Sequence, residues 1–155
     1  MHTLPAPPFK GMGKLIHIAA WAILFGLPFF FTGRESQTVT VLSYVRSMIV
    51  PLSFMLVFYA NYFVLIDHFL FAKRPWKFLL CNVVLIAASM GAVHLMFELL
   101  PHPEWEHPRP EREWQETVGF FMVNAMLYML VAGLSVAIKM TGSWYEMESS
   151  RRELE

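Results

Sequence analysis

The chain has 155 residues, 56% hydrophobic and 15% charged. Soluble domains carry about 25% charged residues, and the apolar residues here are clustered, which excludes an ordinary soluble fold. Twelve Lys and Arg balance twelve Asp and Glu, so no overall field points to nucleic acid, and the distribution of charge carries the information.

Residues 1–13 contain Pro5, Pro7, Pro8, Gly11 and Gly13 and predict a flexible leader. The first span is expected over residues 14–31, within a window, 15–33, that lacks Asp, Glu, Lys and Arg. Lys10 and Lys14 precede it as in a signal peptide. The apolar run is too long for one, and FFFTGRESQ offers no small-x-small cleavage site. Pro28 is placed to kink or close this helix near its end.

A second span is expected over 44–66, with Pro51 inside it and Arg46 at its mouth. Pro is tolerated in a membrane helix where neighbours satisfy the freed carbonyl. Residues 67–76 then form a loop in which Asp67 faces Lys73, Arg74 and, just beyond, Lys77. Those three cations set topology and touch anionic lipid. The third span is expected over 77–99. Its Ala87, Ala88, Ser89, Gly91 and Ala92 predict close helix–helix approach. Cys81 stands alone and offers neither a disulfide nor a metal framework.

Residues 100–116, LPHPEWEHPRPEREWQE, hold four Pro and five Glu against two Arg. Trp105 and Trp114 suit a membrane–water interface. The fourth span is expected over 117–138, 22 residues without a formal charge. No Pro occurs from Thr117 onward, so nothing ends the helix at the membrane surface. Beyond Lys139, the residues Met140, Trp144, Met147, Arg151 and Leu154 are spaced 4, 3, 4, 3. That is the seam spacing of a coiled coil, and it predicts a helical connector over 139–155 to a further domain.

The expected fold is therefore an all-α integral membrane domain: a bundle of four transmembrane helices with a helical extension. Lys and Arg number eight on the leader, second loop and tail against four on the first and third loops. This places both termini of a multi-pass membrane protein in the cytoplasm.

Two stretches resemble a known family. NYFVLIDHFLFAKRPWKFLL, residues 61–80, and AIKMTGSWYEMESSRRELE, residues 137–155, are similar to the second hairpin and the end of the last span in LytS/YehU-type, LytTR-associated sensor histidine kinases. Where that hairpin ordinarily carries Pro-Arg, this chain reads Asp67-His68. The chain has no Pro-His-Phe-Leu-Phe-Asn phosphoacceptor motif and no nucleotide-binding motif, so no catalytic residue carries over. The resemblance implies the membrane sensor region of such a kinase, cut before the kinase core. It implies a homodimer in the lipid bilayer of a bacterial inner membrane that acts through a cytoplasmic kinase domain on a response regulator. No cofactor is expected.

Candidate chemistry lies at two places. Arg46, His94 and Glu98 are expected near the outer end, where ionisable groups at membrane depth mark functional sites; Arg46 suits an anionic small ligand. The alternative there is snorkelling with an Arg46–Glu98 pair. In the third loop, His102, Glu104, Glu106 and His107 offer ligands for Zn²⁺ or Cu²⁺ or a proton-sensing pair of histidines; the alternative is a solvated anionic loop. His17 and His94 are expected at opposite ends of the membrane, which argues against a shared haem. Asn61, Asn82 and Asn124 are expected to hydrogen-bond between helices. A stand-alone small transporter or a membrane scaffold subunit is the competing reading; no continuous polar route crosses the predicted midplane.

Overall fold

A computed structural model describes residues 9–32, 40–101 and 114–154. It is all-helical there: α1 (Phe9–Thr32), α2 (Val41–Ala60), a π-helical segment (Asn61–Leu70) that continues α2, α3 (Pro75–Leu99) and α4 (Trp114–Leu154). The chain forms two compact units, Met1–Pro51 and Leu52–Glu155.

In the first unit, α1 begins at Phe9, five residues before the expected span, so residues 9–13 are helical rather than a flexible leader. The three leader prolines all precede Phe9, so no pyrrolidine ring obstructs the first turns. The helix also runs four residues past Pro28. The start of α2 is tightened by Ser43, whose Oγ donates to the Thr40 carbonyl at 2.8 Å. That local bond suits a helix's first turn.

In the second unit the remaining elements pack on one another: the π segment on α3 and α4, and α3 on α4. The π segment is the main departure from the sequence expectation. The residues expected to start a loop at Asp67 instead remain helical to Leu70. Phe71 N–H donates to the Ile66 carbonyl at 2.9 Å, a reach of five residues rather than four. Such winding is rare, and it usually appears as a single turn. Aromatic pairs four apart line its entry: Phe58 stacks on Tyr62 at 5.9 Å and Tyr59 on Phe63 at 5.6 Å.

The helix stops in a Schellman arrangement. Lys73 N–H donates to Leu70 O at 3.1 Å and Arg74 N–H to Phe69 O at 2.8 Å. The residue between last turn and exit is usually Gly because it must be left-handed. Here it is Lys73, at φ 57°, a conformation that costs a residue with a Cβ about 1 kcal/mol. Pro75 then opens α3, where its missing N–H would have been unpaired anyway.

Ser53 Oγ and the Tyr128 hydroxyl share a hydrogen bond at 2.5 Å. Eleven residues further along α4, Lys139 reaches Tyr62 and Asp67. Hence the part of α2 within this unit, with its π continuation, runs parallel to α4, while the turn at residues 71–74 sends α3 back antiparallel. The apolar core joins Val57, Ile86, Tyr128 and Ala132, flanked by Phe54, Leu85 and Met90. Phe54 meets the Tyr128 ring edge-on at 4.7 Å, a geometry aromatic quadrupoles favour.

Away from this core, much of the apolar surface of α3 and α4 is exposed. On α3, Leu79, Leu80, Val83 and Val84 are exposed, and on α4 so are Met122, Met126 and Leu130. Apolar surface on this scale needs lipid or a partner. The small-residue patch of α3 faces the same way: Ala87, Ala88, Gly91 and Ala92 are exposed and only Ser89 is buried. The close approach predicted there is not made within the second unit, because α3 presents Asn82, Ile86 and Ser89, one stripe at helical spacing, to its neighbours.

The last span and its extension are one unbroken helix of 41 residues. At 1.5 Å per residue it measures about 60 Å, twice a bilayer's hydrocarbon thickness. The second span, with its π continuation, covers Val41–Leu70, and α3 begins at Pro75 rather than 77.

Candidate functional site

Lys139 is the only cation between residues 117 and 150, and Asp67 the only acid in residues 61–77. The structure brings these two lone charges together. Lys139 Nζ donates to Asp67 Oδ2 at 2.7 Å and to the Tyr62 carbonyl at 2.5 Å. The same ammonium lies 4.9 Å from the Tyr62 ring centroid, within cation–π range. The side chain of Lys139 is 17% exposed and that of Asp67 45%. The ammonium is therefore largely withdrawn from water, and each of its contacts falls on the π segment. Neighbouring His68 is held locally, its Nδ1 3.0 Å from the Val64 carbonyl.

This cluster is a clasp between the π segment and α4. It sits where the apolar part of α4 gives way to the polar tail. Sequence reasoning assigned both residues other duties: Asp67 a loop acid, Lys139 a topology cation. Their complementarity as lone charges at the ends of two predicted spans was the available signal.

Above the clasp lies a polar interior. Asn61 and Ser135 are wholly buried, and Asn82 and Ser89 nearly so. Val57 and Ile86 share the core cluster. Asn61 lies one turn past Val57 and Asn82 one turn before Ile86. Because the helices run oppositely, both asparagines fall on one level, nearer the clasp. The expected interhelical hydrogen bonds are not what the structure contains. Asn61, Asn82 and Asn124 each donate to the carbonyl four residues earlier on their own helix, at 3.0, 3.1 and 2.8 Å. Ser135 likewise donates to Ala132 O at 2.6 Å. The local carbonyl is always within reach of a short polar side chain, whereas a partner across the bundle needs matched register. Asn61 Oδ1, Asn82 Oδ1 and Ser89 Oγ are left without a protein partner.

The residues singled out from sequence are distributed as follows. Arg46 lies half-buried in the first unit; His94 and Glu98 are exposed on α3 in the second, one turn apart. Among the described residues, no hydrogen bond or ion pair joins His94 to Glu98. His102, Glu104, Glu106 and His107 lie outside the described residues, and no cluster of metal-ligating side chains occurs among those described. The seam residues Met140, Trp144, Met147, Arg151 and Leu154 are all exposed along the tail of α4, Met147 at 68%. Three of them, Met147, Arg151 and Leu154, line a shallow groove together with Phe71 of the hairpin exit and Ser143 and Glu146 of α4.

Three helices, Val41–Leu70, Pro75–Leu99 and Trp114–Leu154, are long and apolar enough to cross a membrane. In α1 the apolar helical stretch of that kind is shorter, His17–Gly26. The chain is by these features an all-helical, multi-pass membrane protein. No family model, curated protein or solved structure matches it.

Proposed function

We propose that the chain is the transmembrane input module of a two-component sensor histidine kinase of the LytS/YehU type, with α1 as a fourth span and both termini cytoplasmic. The observation that carries this reading is the continuity of α4. One helix contacts the membrane core through Tyr128, Ala132 and Ser135, is clasped at Lys139, and then extends a bare heptad seam. A signal that moves α4 against the π segment passes along that helix without an intervening loop. Two copies joined in parallel along the seam would deliver it to kinase helices beyond, and through them to a response regulator. A short seam with Arg151 in it is weak alone, which suits an element that changes its packing.

The test joins the chain at Leu154 to the dimerisation helix of a heterologous histidine kinase core. Residues are inserted one at a time at the junction, and autophosphorylation is measured in membranes. The expected result is activity that rises and falls with helical phase, and that changes when Lys139 is replaced by Met. Activity indifferent to both insertion length and Lys139 overturns the proposal. The second reading, a small transporter, is favoured by the orphaned oxygens of Asn61, Asn82 and Ser89. It requires substrate flux across proteoliposomes that Asn61→Leu abolishes.

A further inference from the structure

We propose that the turn from Phe71 to Lys77 is a docking surface for anionic lipid headgroups. The turn closes two helices that are each long enough to cross a bilayer, which sets it at the level of the headgroups. Lys73, Arg74 and Lys77 are exposed, and among the described residues none has an ion-pair or hydrogen-bond partner for its side chain. The one acid of this hairpin, Asp67, is occupied by Lys139. The turn therefore keeps all three of its positive charges, which the sequence alone leaves open. Trp76 is 79% exposed and Phe71, in the groove beside α4, 43%; such rings sit at the headgroup boundary.

The backbone adds a second argument. Lys73 occupies the left-handed exit position where Gly is relaxed. A strained backbone holding a solvent-facing cation is consistent with a role for its charge outside the fold. Lipid fits better than an acidic protein segment because the exposed aromatics flank the cations at membrane level.

The test uses the purified full chain in phosphatidylcholine bilayers. These contain a trace of spin-labelled phosphatidylglycerol or spin-labelled phosphatidylcholine. The ratio of motionally restricted phosphatidylglycerol to phosphatidylcholine is read at low and high salt. The expected result is a ratio above unity that falls as salt rises. In Lys73→Gln/Arg74→Gln/Lys77→Gln it falls towards unity, by up to roughly fivefold at the turn for each cation removed. Lys73→Gly separates charge from folding: it should raise thermal stability while lowering the lipid preference. A ratio of unity in the native chain, or an unchanged preference in the triple variant, overturns the proposal.

Discussion

Removing either member of the clasp should have unequal effects, and the inequality is diagnostic. Hydrogen bonds to charged groups contribute about 1.5–3 kcal/mol when shielded, whereas exposed ion pairs give about 0.2–1 kcal/mol. Lys139 is 17% exposed and Asp67 45%, so one partner is shielded and the other is half in solvent. The coupling between them is therefore about 1.5 kcal/mol, at the lower end of the shielded range. Lys139→Met leaves Asp67 where water reaches it, and the thioether chain keeps the apolar stem's packing; the expected loss is about 1 kcal/mol. Asp67→Leu leaves an ammonium mostly covered by protein with only the Tyr62 carbonyl and ring to hold it. That loss is about 2 kcal/mol, because an uncompensated covered charge costs more than the absent pair. The double variant should then be more stable than Asp67→Leu alone. Equilibrium unfolding in mixed micelles, followed by tryptophan fluorescence, measures all four corners of the cycle. A double variant no more stable than Asp67→Leu, or strictly additive single effects, would refute the clasp.

Other expectations follow from the core and the tail. Ser53→Ala and Tyr128→Phe should each cost about 0.6 kcal/mol and be strongly non-additive, as interhelical bonds in lipid usually are modest; additive losses in the same unfolding assay would mean the 2.5 Å bond is not made. Tyr128→Ala should cost about 3–5 kcal/mol, since it also empties a fully buried aromatic site. Asn61→Leu should be neutral or stabilising in thermal unfolding, because it removes an orphaned buried acceptor; a loss above about 1 kcal/mol would mean that Oδ1 has a partner such as water. Met147→Glu should abolish crosslinking between copies in membranes without changing the monomer's melting, since the side chain is exposed; an unchanged dimer removes the seam.

Much of the architecture was legible because its signals are redundant. Three of the four charge-free windows fall in helices long and apolar enough to cross a membrane, and the absence of Pro after Thr117 foretold the continuity of α4 into its tail. The π segment was not legible. Nothing in NYFVLIDHFL distinguishes a five-residue hydrogen-bond reach from a four-residue one, because that choice is made by packing against α3 and α4. Asp67 reads as the first residue of a loop only while its partner 72 positions away is unknown. The same holds for Ser53 and Tyr128, which look like ordinary membrane-helix residues until register sets them opposite each other. The asparagines show the reverse error. Polar side chains inside spans suggest bonds between helices, yet each was satisfied on its donor side by its own backbone.

The geometry of α4 makes a further distinction that neither spacing rule contains alone. Tyr128, Ala132, Ser135 and Lys139, the residues by which it meets the rest of its unit, recur at 4, 3 and 4. Met140 to Leu154 recur at the same spacing but start one residue later than Lys139 would continue. At 3.6 residues per turn, the two stripes face directions about 110° apart. A single helix therefore holds its bundle with one face while a second face stays open along the tail. From Tyr128 to Met147 is about 28 Å of helix, with no Pro to bend it. A rotation that loosened Lys139 from Asp67 would turn the seam by the same angle, apart from twisting of the helix itself. The clasp is thus placed at the one level where the α4 interior and the α4 tail are governed by the same contact.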